Sequence, residues 1–155
     1  MINDSLRKVL DKYSRFISAG QFDKIPIDDG FSSTNLYIIL LGISLGMKYI
    51  HSQNVVHRDL KPDNILLDEN FYPRISDFGS SSIANSNISQ YIMKSQEGTP
   101  LYMPPEVFEN ESYDYKVDVY SFSLITKLVI KFKQLYQKIF DQMEKLSKTK
   151  QSKTS

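Results

Sequence analysis

Residues 57–64 read His57-Arg58-Asp59-Leu60-Lys61-Pro62-Asp63-Asn64, and thirteen positions after Asn64 comes Asp77-Phe78-Gly79. Between them, Ile65-Leu66-Leu67 is a short apolar run, Asp68-Glu69-Asn70 a polar turn, and Tyr72 to Ser76 a second strand-like stretch. Two short strands joined by a turn make a hairpin, and a hairpin here carries Asn64 and Asp77 to the same end. Both offer hard oxygen atoms, which suit a Mg²⁺ ion shared with phosphate. Pro62 cannot continue a helix, so the polar side chains of the first loop are free to converge. Gly79 gives the backbone freedom just after Asp77.

Taken together, the two motifs and their order resemble the catalytic loop and metal-binding loop of the eukaryotic-type protein kinases. Gly98-Thr99-Pro100-Leu101-Tyr102-Met103-Pro104-Pro105-Glu106 resembles the segment that closes the activation loop of that family, with Pro104 in place of the usual Ala. Asp118-Val119-Tyr120-Ser121-Phe122 is similar to the start of the buried central helix, whose Asp braces the catalytic loop. Lys61 after Asp59, with Thr99 before Pro100, looks like the serine/threonine-directed pattern, and the activation-loop style is similar to the tyrosine-kinase-like group.

The resemblance implies a chemistry and a cast of residues. Asp59 would accept the proton of the substrate hydroxyl, and Lys61 would place a positive charge near the transferred phosphate of ATP. Asn64 and Asp77 would hold Mg²⁺, and Leu66 would lie under the adenine ring. His57 and Phe78 would belong to an apolar column anchored on Asp118, with Phe78 packed inward. Arg58 would pair with an activation-loop phosphate, whose candidate acceptors are Ser80, Ser81, Ser82, Ser86, Ser89, Ser95 and Thr99. Thr99 reads better as a hydrogen-bonding partner of Asp59 and Lys61, and Glu106 would need a basic partner.

Composition is consistent with one soluble domain. The chain has 155 residues, 41% hydrophobic and 24% charged, enough to bury a single core. There is no Cys and only two His, 51 and 57, which excludes disulfides, a thiolate nucleophile and a Cys- or His-rich metal centre. The start lacks the basic cap and apolar run of a signal peptide. The most apolar stretch, 36–45, is ten residues long, against the roughly 20 needed to cross a membrane. These features predict a cytoplasmic protein with no membrane span.

Outside the motifs, helical periodicity organises the chain. Leu6, Val9, Leu10, Tyr13, Phe16 and Ile17 share a face of a first helix, capped by Asp4 or Ser5 and stopped by Gly20. Turn residues follow at Pro26 and Asp28-Asp29-Gly30. Leu36, Ile39, Leu40, Ile43, Met47 and Ile50 then predict a long helix ending near His51, which reads as a helix-end residue. From Ile125 apolar residues recur at 128, 132, 135, 139 and 146, close to heptad spacing, with Lys131, Lys138 and Lys145 opposite. Residues 127–155 hold eight Lys against Asp141 and Glu144, a balance of +6, whereas residues 1–126 balance at −5. This amphipathic stretch would fold back over the core, pair as a coiled coil with itself or a partner, or have no selected role. No nucleic-acid motif accompanies its lysines.

The predicted architecture is therefore mainly α with a small β-hairpin. It comprises a partial kinase C-lobe over 5–126, a Lys-rich amphipathic helix over 127–147 and a disordered tail over 148–155. The six glycines form no Gly-x-Gly-x-x-Gly, and no strand Lys or helix Glu for the nucleotide phosphates is assignable. The resemblance implies an ATP- and Mg²⁺-dependent kinase acting on protein Ser/Thr hydroxyls, held here as a truncated catalytic lobe of doubtful independent activity. The alternatives are a non-catalytic kinase-like module that binds a partner kinase or its substrates, or self-associates through 125–146, and a gene fragment.

Overall fold

The computed structural model describes residues 2–18, 32–83, 98–109 and 114–151. Strand β1 (Ile2–Ser5) leads directly into helix α1 (Leu6–Ser18). The Ser5 hydroxyl accepts the Lys8 N–H of the first turn at 3.4 Å, and the Asp4 carboxylate pairs with the Lys8 ammonium at 3.0 Å. Leu6, Leu10 and Tyr13 are buried. The side chains of Phe16 and Ile17, the stop at Gly20 and the turn at 26–30 lie outside the described residues.

Helix α2 (Ser33–Ser52) opens with a reciprocal cap: Asn35 N–H reaches the Ser32 hydroxyl, and Ser32 N–H reaches Asn35 Oδ1 at 2.7 Å. Leu36, Ile39, Ile43 and Met47, spaced three and four apart, enter the core. The apolar stretch read as ten residues sits in a helix of 20, long and apolar enough by length and composition to cross a membrane. Its buried stripe packs it as the core helix of a globular fold.

β3 (Ile65–Asp68) and β4 (Pro73–Ile75) form the expected hairpin, with Ile65 opposite Ile75 and Leu67 opposite Pro73. Asp68 Oδ1 accepts the N–H groups of Asn70 and Tyr72, both at 3.0 Å, which closes the turn. The hairpin is not alone: β1 pairs antiparallel with β3 on its other side, so β3 is the centre of a three-stranded sheet. A second, two-stranded pair joins β2 (Val55–Val56) to β5 (Ser82–Ile83). Ile65 and Leu67 are fully buried, while Leu66 alternates to the opposite face and is half-buried.

The sheet and α2 meet closely. A Cβ built on Gly42 would stand 2.4 Å from Pro73 Cγ, whereas one on Gly46 would stand 2.9 Å from the flexible Ile75 Cδ1. Gly42→Ala is expected to lower stability by about 1–2 kcal/mol, because overpacking against a proline ring outweighs the roughly 1 kcal/mol gained in helix propensity. Gly46→Ala should cost less, since the Ile75 methyl can rotate away. Urea unfolding of both variants checks this, and a stabilised Gly42→Ala would contradict the close approach.

After the four-residue helix α3 (Pro105–Phe108), one helix, α4, runs from Lys116 to Gln151. Its 36 residues make a rod of about 54 Å. The boundary expected between 126 and 127 falls inside it, and residues 148–151, read as disordered, are helical; residues 152–155 lie outside the described set. The reason is local. No Gly or Pro occurs after Pro105, and the stretch is rich in Lys, Gln and Leu, all good helix formers. The stretch covers part of the core without a break in the helix. Ile125, Val129 and Phe132 continue the buried face of α4, and Tyr13 meets Phe132 and Tyr136 edge-on at centroid distances of 6.0 and 6.5 Å. The core thus lies where α1, α2, the sheet and α4 converge.

Candidate active site

The loop between β2 and β3 is held from below by one carboxylate. Asp118, in the first turn of α4, is 1% exposed. Its Oδ2 accepts the His57 N–H and its Oδ1 the Arg58 N–H, both at 2.8 Å. Oδ2 also receives the His51 Nε2–H at 2.9 Å, and the His51 ring packs against Tyr115 with centroids 5.5 Å apart. Two backbone donors and a side chain are thereby satisfied by one buried carboxylate. Arg58 takes a positive φ of 68°, an uncommon conformation for a non-glycine residue, and the paired N–H groups fix it there.

His57 is fully buried, and its ring lies on Phe78 with centroids 5.0 Å apart. Nε2–H donates to the Ser76 carbonyl at 3.1 Å, and Nδ1 accepts the Asp59 N–H at 3.4 Å, which fixes the tautomer. Phe78 differs from the inward plug read from the sequence: it is 45% exposed, with the His57 ring against it. The Arg58 guanidinium bonds to the carbonyls of Ser80 and Ser81. Of the candidate phosphate acceptors, Ser86, Ser89 and Ser95 lie outside the described residues.

Asp59 is the centre of the network. Oδ1 accepts the Thr99 N–H at 2.9 Å and the Thr99 hydroxyl at 2.8 Å. Oδ2 accepts Lys61 Nζ at 2.6 Å and Asn64 Nδ2 at 3.2 Å. Burial pushes the Asp59 pKa up, but hydrogen bonds from Lys61 and Thr99 and the Lys61 charge more than offset it, leaving the carboxyl below its usual range and ionised at neutral pH. A carboxylate has about four acceptor sites, and all four are taken. Lys61 Nζ also reaches the Thr99 hydroxyl at 2.8 Å, so a residue forty positions away is tied to both charges. Thr99 therefore serves as a hydrogen-bonding partner.

Asn64 Nδ2 donates as well to the Asp59 carbonyl at 2.9 Å, and the Asn64 carbonyl accepts both the N–H and the hydroxyl of Ser76 at 2.9 Å. Its Oδ1 accepts no hydrogen bond among the described residues. Asp77 is exposed, and one carboxylate oxygen accepts the Gly79 N–H at 3.4 Å. Asp77 takes the left-handed conformation, at φ 64°, which Asp tolerates through this local bond. Asn64 Oδ1 and the Asp77 carboxylate are both hard oxygens, the donor chemistry that suits Mg²⁺. Glu106, in α3, is half-buried and forms no ion pair among the described residues.

Several site residues escaped the sequence reading. His51 is 67 positions from Asp118, and nothing local distinguishes it from an ordinary helix end. Ser76 ties His57 to Asn64. Ser121, an inward hydroxyl one turn after Asp118, donates to the Tyr102 carbonyl at 2.8 Å. A small polar residue on an otherwise apolar helix face was its one available signal.

Comparison with known proteins agrees with this geometry. The protein kinase domain family model matches residues 14–155. The chain is 38% identical over 102 residues to Dual specificity protein kinase shkB of Dictyostelium discoideum, covering 66% of this chain and 16% of that protein. It is 44% identical over 96 residues to RGS domain-containing serine/threonine-protein kinase A of the same organism, covering 62% of this chain and 8% of that one. To the PR5-like receptor kinase of Arabidopsis thaliana it is 37% identical over 131 residues, covering 81% of this chain and 18% of the relative. The chain thus spans less than a fifth of the length of these relatives. With the braced loop, the ionised Asp59 and the family match in agreement, the chain belongs to the eukaryotic-type protein kinases.

Proposed function

We propose that these residues carry the phosphotransfer half of a serine/threonine kinase, moving the terminal phosphoryl group of ATP to a Ser or Thr hydroxyl of a protein. The observation that carries the reading is the Asp59 carboxylate bound by Lys61, Asn64 and Thr99 within 3.2 Å. Phosphoryl transfer through a loose transition state needs an oriented hydroxyl more than a strong base, which suits a carboxylate of lowered pKa. Because all its acceptor sites are filled, one partner must leave before a substrate hydroxyl can bond. Lys61 is the natural one, since an incoming phosphate offers its ammonium a better-charged partner. That shift frees Oδ2, while Thr99 keeps Oδ1 in place.

Asn64 Oδ1 and Asp77 would hold Mg²⁺, which when bound neutralises charge on the phosphates. Leu66, on the sheet face away from the core, would support the adenine. Cytoplasmic placement and a protein substrate belong to the same proposal.

The 155 residues contain no Gly-x-Gly-x-x-Gly to cover the phosphates, and the Lys–Glu pair required for full activity is not assignable in them. The purified chain alone is therefore expected to bind Mg-ATP more weakly than micromolar in calorimetry. Submicromolar affinity would show that it encloses the nucleotide unaided. The native product, captured with an antibody to residues 80–97, is expected to phosphorylate Ser or Thr peptides. A captured product that binds kinases or their substrates without phosphorylating any would favour the non-catalytic module.

A further inference from the structure

Between α1, the turn at Pro100–Tyr102 and α4 lies an open groove of about 290 Å³. Three of its lining residues are cations, Arg7, Lys127 and Lys131, and none is acidic. The charge is built from elements far apart in sequence and runs against the −5 balance of residues 1–126. Lys127 and Lys131 stand one turn apart on the same face of α4 and form no ion pair among the described residues. Like charges at that spacing repel by a few tenths of a kcal/mol. An anion seated between them would relieve that repulsion.

Arg7 is held in place as the opposite wall. Its guanidinium donates to the Tyr102 hydroxyl at 2.7 Å and pairs with Asp63 at 3.5 Å. Asp63 belongs to the same loop as Asp59, so the groove and the candidate active site share a wall. The link is closed from the other side as well. Tyr102 N–H donates to the Thr99 carbonyl at 2.9 Å, and Thr99 holds Asp59. Thr99 and Tyr102 are three positions apart in a closed turn, so their Cα atoms lie within about 7 Å. A polypeptide presenting a hydroxyl to Asp59 would reach the groove with side chains about three residues from the acceptor. Leu101, 72% exposed at the rim, offers an apolar surface beside the cations.

We propose that this groove selects the substrate: it receives Asp or Glu side chains of the protein, about three residues to one side of the phosphorylated Ser or Thr. The assignment rests on the phosphotransfer reading above and adds the substrate class to it. The groove is open and carries three cations, which matches it to one or two carboxylates.

The test uses the full 155-residue chain and fluorescent Ser-containing peptides that carry acidic, neutral or basic residues on either side of the serine. Anisotropy at low salt is expected to give at least tenfold tighter binding for one acidic peptide than for its neutral counterpart. In the Lys127→Glu/Lys131→Glu double variant that preference should vanish and the basic peptide should bind better. Both lysines lie on the surface of α4, and the Lys127→Gln/Lys131→Gln pair serves if charge reversal disturbs folding, with the preference again expected to vanish. Equal binding of acidic and neutral peptides, or a preference that survives both double variants, would overturn the assignment. The two readings fail separately. Lysine-dependent acidic binding without any phosphorylation by the native product sinks the phosphotransfer reading alone, whereas phosphorylation indifferent to acidic residues sinks only the groove.

Discussion

Replacing Asp118 with Ala is expected to destabilise the fold by about 3–5 kcal/mol, because it strips a buried acceptor from two backbone donors at once. The N–H groups of His57 and Arg58 each lose a 2.8 Å bond. His51 Nε2–H loses its partner too. A buried donor left without an acceptor costs about 1–3 kcal/mol, and domains of this size have only about 5–15 in total. Arg58 would also lose the contacts that hold its positive φ, so the loop carrying Asp59 should loosen with the rest. Asp118→Asn keeps one carbonyl oxygen and is expected to cost less. Urea unfolding measures both, and a loss under about 1 kcal/mol for Asp118→Ala would mean the loop is held by other contacts.

Gly98→Val is expected to be nearly as damaging, for a reason rooted in backbone geometry. Gly98 has φ of 122°, a conformation that a β-branched residue essentially never adopts. A Cβ there would stand 2.9 Å from the Arg58 carbonyl oxygen and 3.1 Å from Met103 Cε. Strain of about 1–3 kcal/mol adds to an overpacking cost of similar size. The damage falls on the next residue, Thr99, which gives Asp59 two of its four hydrogen bonds. The variant should therefore lose stability in urea unfolding, and the native-length protein should lose transfer rate with it. Unchanged values of both would show that the Thr99 contact is dispensable.

What was legible in the sequence follows the range of each interaction. The hairpin could be read because its apolar runs and the polar turn at Asp68 lie within a dozen residues. Helices α1 and α2 could be read because burial repeats every three or four positions along each. Strand β1 left no trace: Ile2-Asn3-Asp4-Ser5 has one apolar residue, and its extended form depends on pairing with β3. The continuity of α4 was hidden by a composition change near residue 126, past which Lys becomes frequent while the helix runs on.

The site divides in the same way. Asp59, Lys61, Asn64 and Asp77 were legible as residue types at motif spacing, and the structure brings Asp59, Lys61, Asn64 and Thr99 into one network. The bond from His51 to Asp118 spans 67 positions and that from Arg7 to Tyr102 spans 95. No local pattern encodes such contacts, so they appear only once the core has set the elements in place. The half-exposed Phe78 has the same origin, since what covers a side chain depends on distant chain.

Asp59 and its partners are the proposed phosphotransfer apparatus. Its most direct test is transfer from γ-labelled Mg-ATP to a Ser peptide, by the captured native product and by its Asp59→Asn variant expressed in the same cells. An Asn in that position cannot accept the hydroxyl proton, and general-base contributions run to about 10²–10⁴-fold. The native product should transfer phosphate, and the variant should transfer at least about a hundredfold more slowly. Transfer that survives Asp59→Asn unchanged would contradict that role.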